Sequence, residues 1–178
     1  MRSNLYLKTP NLLSLSRLLL SPMLLFLQEE LLPLFFLTLA LSDALDGFLA
    51  RKLKAQTELG KVLDPLADKV MLLCGLFLCV YKLRGLPEWL FYLSLLRDLF
   101  LLFGATLLAL KGRGVPSARL AGKAHTFFLS LLLFLCMLGL PVEGLSFLAL
   151  MLLIASWFDY LSVGLKKFRN QTSSLSLS

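Results

Sequence analysis

The sequence predicts an all-α fold, an integral membrane bundle of six transmembrane helices preceded by a short N-terminal interfacial helix, on three observations. Hydrophobic residues make up 58% of the 178, well above the roughly 45–50% of soluble domains, and mean hydropathy is +0.81. Six apolar stretches divide the chain, each near the roughly 20 residues that a helical span requires. The breaks carry turn or charge signals, "QEELLP", "RKLKAQTELGK", "KLRGLPE", "KGRGVPSARLAGK", "GLPVEG" and "KKFRNQ", with no sheet-like alternation and no internal repeat.

In chain order, "MRSNLYLKTPN" predicts the interfacial segment, with Leu5, Tyr6 and Leu7 for the bilayer and Arg2 and Lys8 for headgroups. Thr9 before Pro10 suits a helix start. The apolar stretches run Leu12 to Leu27, Leu31 to Ala50, Val62 to Val80, Trp89 to Leu110, Ala124 to Leu140 and Leu145 to Leu165. The first mimics a signal peptide but lacks small-x-small cleavage chemistry after Leu27, so a retained helix is expected. One membrane domain is expected over 1–170, with a disordered tail at 171–178. Cys74, Cys79 and Cys136 all lie in apolar runs without a CxxC pair, which speaks against a disulfide framework or zinc site.

Charge sets the expected orientation, because loops rich in Lys and Arg stay cytoplasmic. Six spans put Arg2, Lys8, Arg51, Lys52, Lys54, Lys61, Lys111, Arg113, Arg119, Lys123, Lys166, Lys167 and Arg169 on one side, and only Lys82 and Arg84 on the other. Both termini are therefore expected in the cytoplasm, with the chain multi-pass in the cytoplasmic membrane. The net charge of +7 fits this topology and anionic headgroups better than nucleic acid.

Four aspartates then need a reason to sit at the ends of apolar helices. At about 100° per residue, Asp43, Asp46, Gly47 and Ala50 share one sector at the end of the second span. Gly60, Asp64 and Asp68 recur every fourth residue and form a second strip at the start of the third. Ionised carboxylates brought together in a membrane cost several kcal/mol unless cations separate them. Two Mg²⁺ ions would balance four negative charges, and clustered aspartate oxygens suit hard divalent cations. Gly47 and Gly60 leave room for a phosphate-bearing ligand near the backbone, Arg51 offers a fork for its oxygens, and Thr57 a hydroxyl. A salt-bridge network at a helix end would use Arg51 with one or two aspartates and leave the others unexplained.

These residues spell DxxDGxxAR, eight residues, then GxxxDxxxD, and the sequence resembles the CDP-alcohol phosphotransferase family. Asp43, Asp46, Gly47, Ala50, Arg51, Gly60, Asp64 and Asp68 match every fixed position. The resemblance implies a six-helix membrane enzyme, a homodimer, in which an alcohol attacks the phosphate of a CDP-linked lipid and CMP leaves. It implies that Asp43, Asp46 and Asp64 hold metal, Mg²⁺ or Mn²⁺. Asp68 would help bind the second ion and act as catalytic base. Asp46, Gly47, Arg51, Thr57 and Gly60 would hold the CDP part.

Further stretches, "TPNLLSLSRLLLSP", "LDPLADKVM", "LLRDLF", "GKAHT" and "SWFDYLSVGLK", resemble the branch that joins CDP-diacylglycerol to glycerol 3-phosphate. Two positions depart from that branch's pattern: Asp98 stands where Glu is usual, and His125 where Lys is usual. Other acceptors remain open, namely phosphatidylglycerol, inositol phosphate or serine, as does a small cation transporter using the same carboxylates. A glycerol 3-phosphate acceptor needs cations for its phosphate, and Arg97, Arg119 and Lys123 are the candidates, with His125 as a polar neighbour rather than a metal ligand. Arg97 lies within an apolar span, where an ionisable residue marks function by default. Asn11 and Arg17 on the first span would line the same cavity, Lys69 would pair or snorkel, and Asp159 and Tyr160 would pack.

Overall fold

The computed structural model describes residues 14–53, 58–110 and 120–175, with side chains at 14–42, 63–104, 106 and 120–162. Within these the chain is helical, with no strand, and six helices fall on the six apolar stretches. Helix α1 occupies 14–20 and tightens into a 3-10 turn at Ser21–Phe26. Then come α2 (Leu32–Leu53), α3 (Glu58–Phe77), α4 (Glu88–Leu110), α5 (Leu120–Met137) and α6 (Glu143–Leu175). The interfacial segment expected at 1–11, Thr57 and the loop carrying Arg119 lie outside the described residues.

The helices form two compact units, one of 1–86 with 133–142, the other of 87–132 with 143–178. In the first, α3 packs on the α1 turn and on α2. Gly75 marks a close approach, since a Cβ there would stand 3.2 Å from both Phe36 of α2 and Leu133 of α5. Small residues let helix backbones approach in membrane bundles, where packing rather than apolar burial drives association. Lys82 Nζ donates to the Leu27 carbonyl at 2.9 Å, and Gly85 lies against Cys136. The connections after α1, after α3 and after α5 thus meet at one end of this unit, as alternating helices require.

In the second unit α4 and α6 run side by side in the same direction. Trp89 meets Phe147 near their starts, at a ring separation of 6.1 Å, and Phe100 stacks on Trp157 farther along, at 5.7 Å. Gly122, early in α5, faces Tyr160, midway along α6.

Large apolar side chains cover much of the surface while a few charged and polar ones lie in the interior. Arg17 and His125 are each only 1% exposed, while Phe26 is 87%, Phe127 74% and Phe158 68% exposed. Apolar patches of this extent mark a surface meant for something other than water. Leu120–Met137 and Glu143–Ser162 are long and apolar enough to cross a membrane, and Ser14–Phe26 is apolar but shorter. These are the features of a membrane protein.

Two bounds differ from the apolar pattern. The third stretch was expected to stay α-helical through Val80, but α3 ends at Phe77 and widens into a π turn at Leu78–Lys82. Arg84, at φ 53°, then stops the helix in a left-handed conformation, and Gly85 N–H reaches back to the Cys79 carbonyl at 3.0 Å. At the other end, α6 continues to Leu175, into the residues expected as a disordered tail. Propagation of a helix already nucleated adds one hydrogen bond per residue, and polar residues such as "NQTSS" oppose it only weakly. At 33 residues α6 is about 50 Å long, well beyond the roughly 30 Å hydrocarbon layer.

A Cβ on Gly85 would come within 2.7 Å of Cys136 Sγ, and Cys136 is a buried, short side chain with nowhere to swing. Gly85→Ala is therefore expected to destabilise the protein by about 1–3 kcal/mol through overpacking. Thermal unfolding in detergent should show Gly85→Ala far less harmful in a Cys136→Ala background than alone, a coupling that additive losses would contradict.

Candidate active site

The site begins on the strip of α3 where residues four apart share a face. Asp64 and Asp68 are half-buried one turn apart, and Ala67, Met71 and Gly75 beside them are buried. Pro65 follows Asp64 inside the helix, so the carbonyl four residues earlier loses its helical donor at this point. Ser14 of α1 donates its hydroxyl to Asp64 Oδ1. That bond fixes one carboxylate oxygen and leaves the group's other lone pairs for further partners.

Alpha-1 supplies more than Ser14. Ser14, Arg17, Ser21 and Leu24 are all buried and spaced three, four and three, so they form a single seam on α1. Ser21 Oγ donates to the Arg17 carbonyl at 2.7 Å. Arg17, expected from sequence on the wall of the cavity, thus sits one turn from the serine that holds Asp64.

Asp43, Asp46, Gly47, Ala50 and Arg51 fall on the last turns of α2, and Gly60 on the first turn of α3. Their side-chain placement, with Thr57, lies outside the described residues. Among the described residues no three His, Cys, Asp or Glu side chains gather; the expected metal set needs Asp43 and Asp46 as well. What is visible fits a hard divalent cation. Both Asp64 and Asp68 offer only oxygen, on adjacent turns, and Asp64 is already oriented by a neutral hydroxyl that does not neutralise its charge.

The second unit holds the expected acceptor residues. Arg97 is buried on α4, and its guanidinium donates from Nε at 3.1 Å and from Nη2 at 2.8 Å to Ser156 Oγ of α6. Nη1 donates to Asp98 Oδ1 at 3.0 Å. Asp98, the departure noted in the sequence, is thus the counter-charge of Arg97. Gly122 lies against this corner, since a Cβ there would stand 3.5 Å from Tyr160, 3.6 Å from Arg97 Nη2 and 3.9 Å from Ser156 Oγ. His125, buried, stands one turn along α5 on the same face as Gly122, whereas Lys123 points outward and is exposed. Arg119 lies outside the described residues, and Asp159 and Tyr160 are half-buried on α6.

Two serines that position charged groups, Ser14 and Ser156, escape a reading of the sequence for charge and hydropathy. Their signal is spacing. Ser146, Ala149, Leu153 and Ser156 recur at three, four and three residues on α6, as do Gly122, His125, Leu129 and Leu132 on α5, and all are buried. A narrow seam of small and polar residues along an apolar helix is the side it presents to other helices.

Comparison with known proteins agrees with this chemistry. The profile of the CDP-alcohol phosphatidyltransferase family matches residues 7–163. The CDP-diacylglycerol–glycerol-3-phosphate 3-phosphatidyltransferase of Aquifex aeolicus is 40% identical over 171 residues, 88% of this chain and 96% of the relative. The enzyme of the same name from Rickettsia felis is 32% identical over 156 residues, 83% of this chain and 84% of the relative. A cardiolipin synthase (CMP-forming) of Streptomyces coelicolor is 33% identical over 158 residues, 83% of this chain and 72% of the relative. With the whole aspartate motif from Asp43 to Asp68 inside the matched span, the chain belongs to the CDP-alcohol phosphatidyltransferase family.

Proposed function

We propose that this protein transfers a phosphatidyl group from CDP-diacylglycerol to glycerol 3-phosphate, giving phosphatidylglycerophosphate and CMP. The observation that carries the reading is the likeness to the Aquifex aeolicus enzyme of that activity, 40% identical and 96% covered, in a chain whose eight motif positions are all kept. A hydroxyl oxygen of the acceptor attacks the phosphatidyl phosphorus, the bond from that phosphorus to the oxygen of CMP breaks, and the hydroxyl proton passes to Asp68. Asp43, Asp46, Asp64 and Asp68 hold two divalent cations, Mg²⁺ or Mn²⁺, which when bound neutralise the charge of the diphosphate and leaving group. Gly47, Arg51, Thr57 and Gly60, with Asp46, seat the CDP part, and Ser14 keeps Asp64 in its orientation. Arg97 and His125, with Arg119, serve the acceptor's phosphate, while Lys123 lies on the exposed face of α5.

In this reading six helices span the cytoplasmic membrane of a homodimer, with both termini and the site on the cytoplasmic side. The lipid donor then arrives from the bilayer and the polar acceptor from water. The apolar surface and the basic residues at alternate connections support that placement.

The Streptomyces coelicolor relative supports a second reading in which phosphatidylglycerol is the acceptor. Offering purified protein CDP-diacylglycerol with each acceptor separates the two. CMP release with glycerol 3-phosphate and not with phosphatidylglycerol is expected, and the reverse would install the second reading. Replacing Asp68 by Asn is expected to slow CMP release by about 10²–10⁴-fold in a protein that still purifies as a folded species. Chelation of divalent cations should abolish release and added Mg²⁺ or Mn²⁺ restore it; release that persists in chelator would overturn the metal assignment.

A further inference from the structure

The geometry points to Ser156 as a positioning residue that aims Arg97 at the phosphate of the acceptor. The inference rests on the proposed role of Arg97 and adds to it a residue on a different helix.

A guanidinium carries five N–H donors around a planar fork. Ser156 Oγ accepts from Nε and Nη2, and Asp98 from Nη1, so three are taken. Among the described residues this leaves one hydrogen on Nη1 and one on Nη2 for oxygens of an anion. The two anchors differ in kind. Asp98 is charged and partly exposed, at 19%, whereas Ser156 is fully buried and neutral. A neutral oxygen that accepts two bonds along one edge fixes the plane of the group without consuming its charge.

The surroundings support a ligand-facing role over a strut between helices. Gly122 brings only backbone toward Nη2, at a spot where a Cβ would be in ordinary contact with Tyr160, Nη2 and Ser156 Oγ. Ser94, one turn before Arg97 and buried, holds a hydroxyl with no hydrogen-bond partner among the described residues. The face thus has polar capacity that packing of the protein does not use.

Kinetics of the full-length enzyme in detergent test the proposal, with KM measured separately for glycerol 3-phosphate and CDP-diacylglycerol. Ser156→Ala is expected to raise the acceptor KM about tenfold, the effect of losing hydrogen bonds to a charged group, with the lipid KM unchanged. Ser156→Cys keeps the shape but offers a poor acceptor, so it should show the same shift and serves if the alanine variant fails to fold. Ser156→Thr, which keeps the oxygen, should stay near wild type. In an Arg97→Lys background, which lacks the fork, Ser156→Ala should add nothing. Equal changes in both KM values, a loss of thermal stability alone, or effects that add to Arg97→Lys would make Ser156 a structural contact and overturn the proposal. An acceptor KM unmoved by Arg97→Lys itself would overturn the assignment of Arg97, and the role of Ser156 with it.

Discussion

A charge within a hydrocarbon layer costs several kcal/mol unless it is partnered and turned inward, and most of this architecture follows from that constraint. Arg97 is anchored by Ser156 and Asp98, and Asp64 by Ser14. Each helix therefore has to keep one narrow face for polar groups, and its remaining surface is given over to large apolar residues such as Phe127 and Phe158. The three-and-four spacing of buried residues on α1, α5 and α6 is the result.

The same constraint links packing to chemistry. Seams of Ser, Gly and Ala allow close approach of backbones, as Gly75 does beneath Phe36 and Leu133, and close approach places hydroxyls within reach of carboxylate and guanidinium. Neutral serine is a partner at both sites: Ser14 orients Asp64 without neutralising its charge, and Ser156 shares the anchoring of Arg97 with the charged Asp98. Had lysine filled the place of Ser14, burial would be easier and binding poorer.

The helices were legible because runs of apolar residues define them and polar breaks separate them. The every-fourth-residue strip of Gly60, Asp64 and Asp68 follows from helical period, and all three fall on α3, with Asp64 and Asp68 half-buried one turn apart. The family, too, was readable from the eight fixed positions of the motif, as the profile match over 7–163 bears out. Less visible were the π turn after Phe77 and the run of α6 to Leu175, since both depend on hydrogen bonding of the backbone, which hydropathy does not encode. Ser14 and Ser156 were hidden because serine is nearly neutral on any polarity scale, and only its register with Arg17 and Leu24, or with Ala149 and Leu153, sets it apart. His125 and Lys123, adjacent in function by sequence, part company in the fold: one is buried and the other exposed.

We propose that the aspartate strips of α2 and α3 form one site for two divalent cations, and electron paramagnetic resonance of the purified protein titrated with Mn²⁺ is the decisive test. Two ions per chain whose spins couple, as for ions roughly 3.5–4 Å apart, are expected, with the coupling lost in Asp64→Asn. A single ion, two uncoupled ions, or a coupled spectrum indifferent to Asp64→Asn would contradict it.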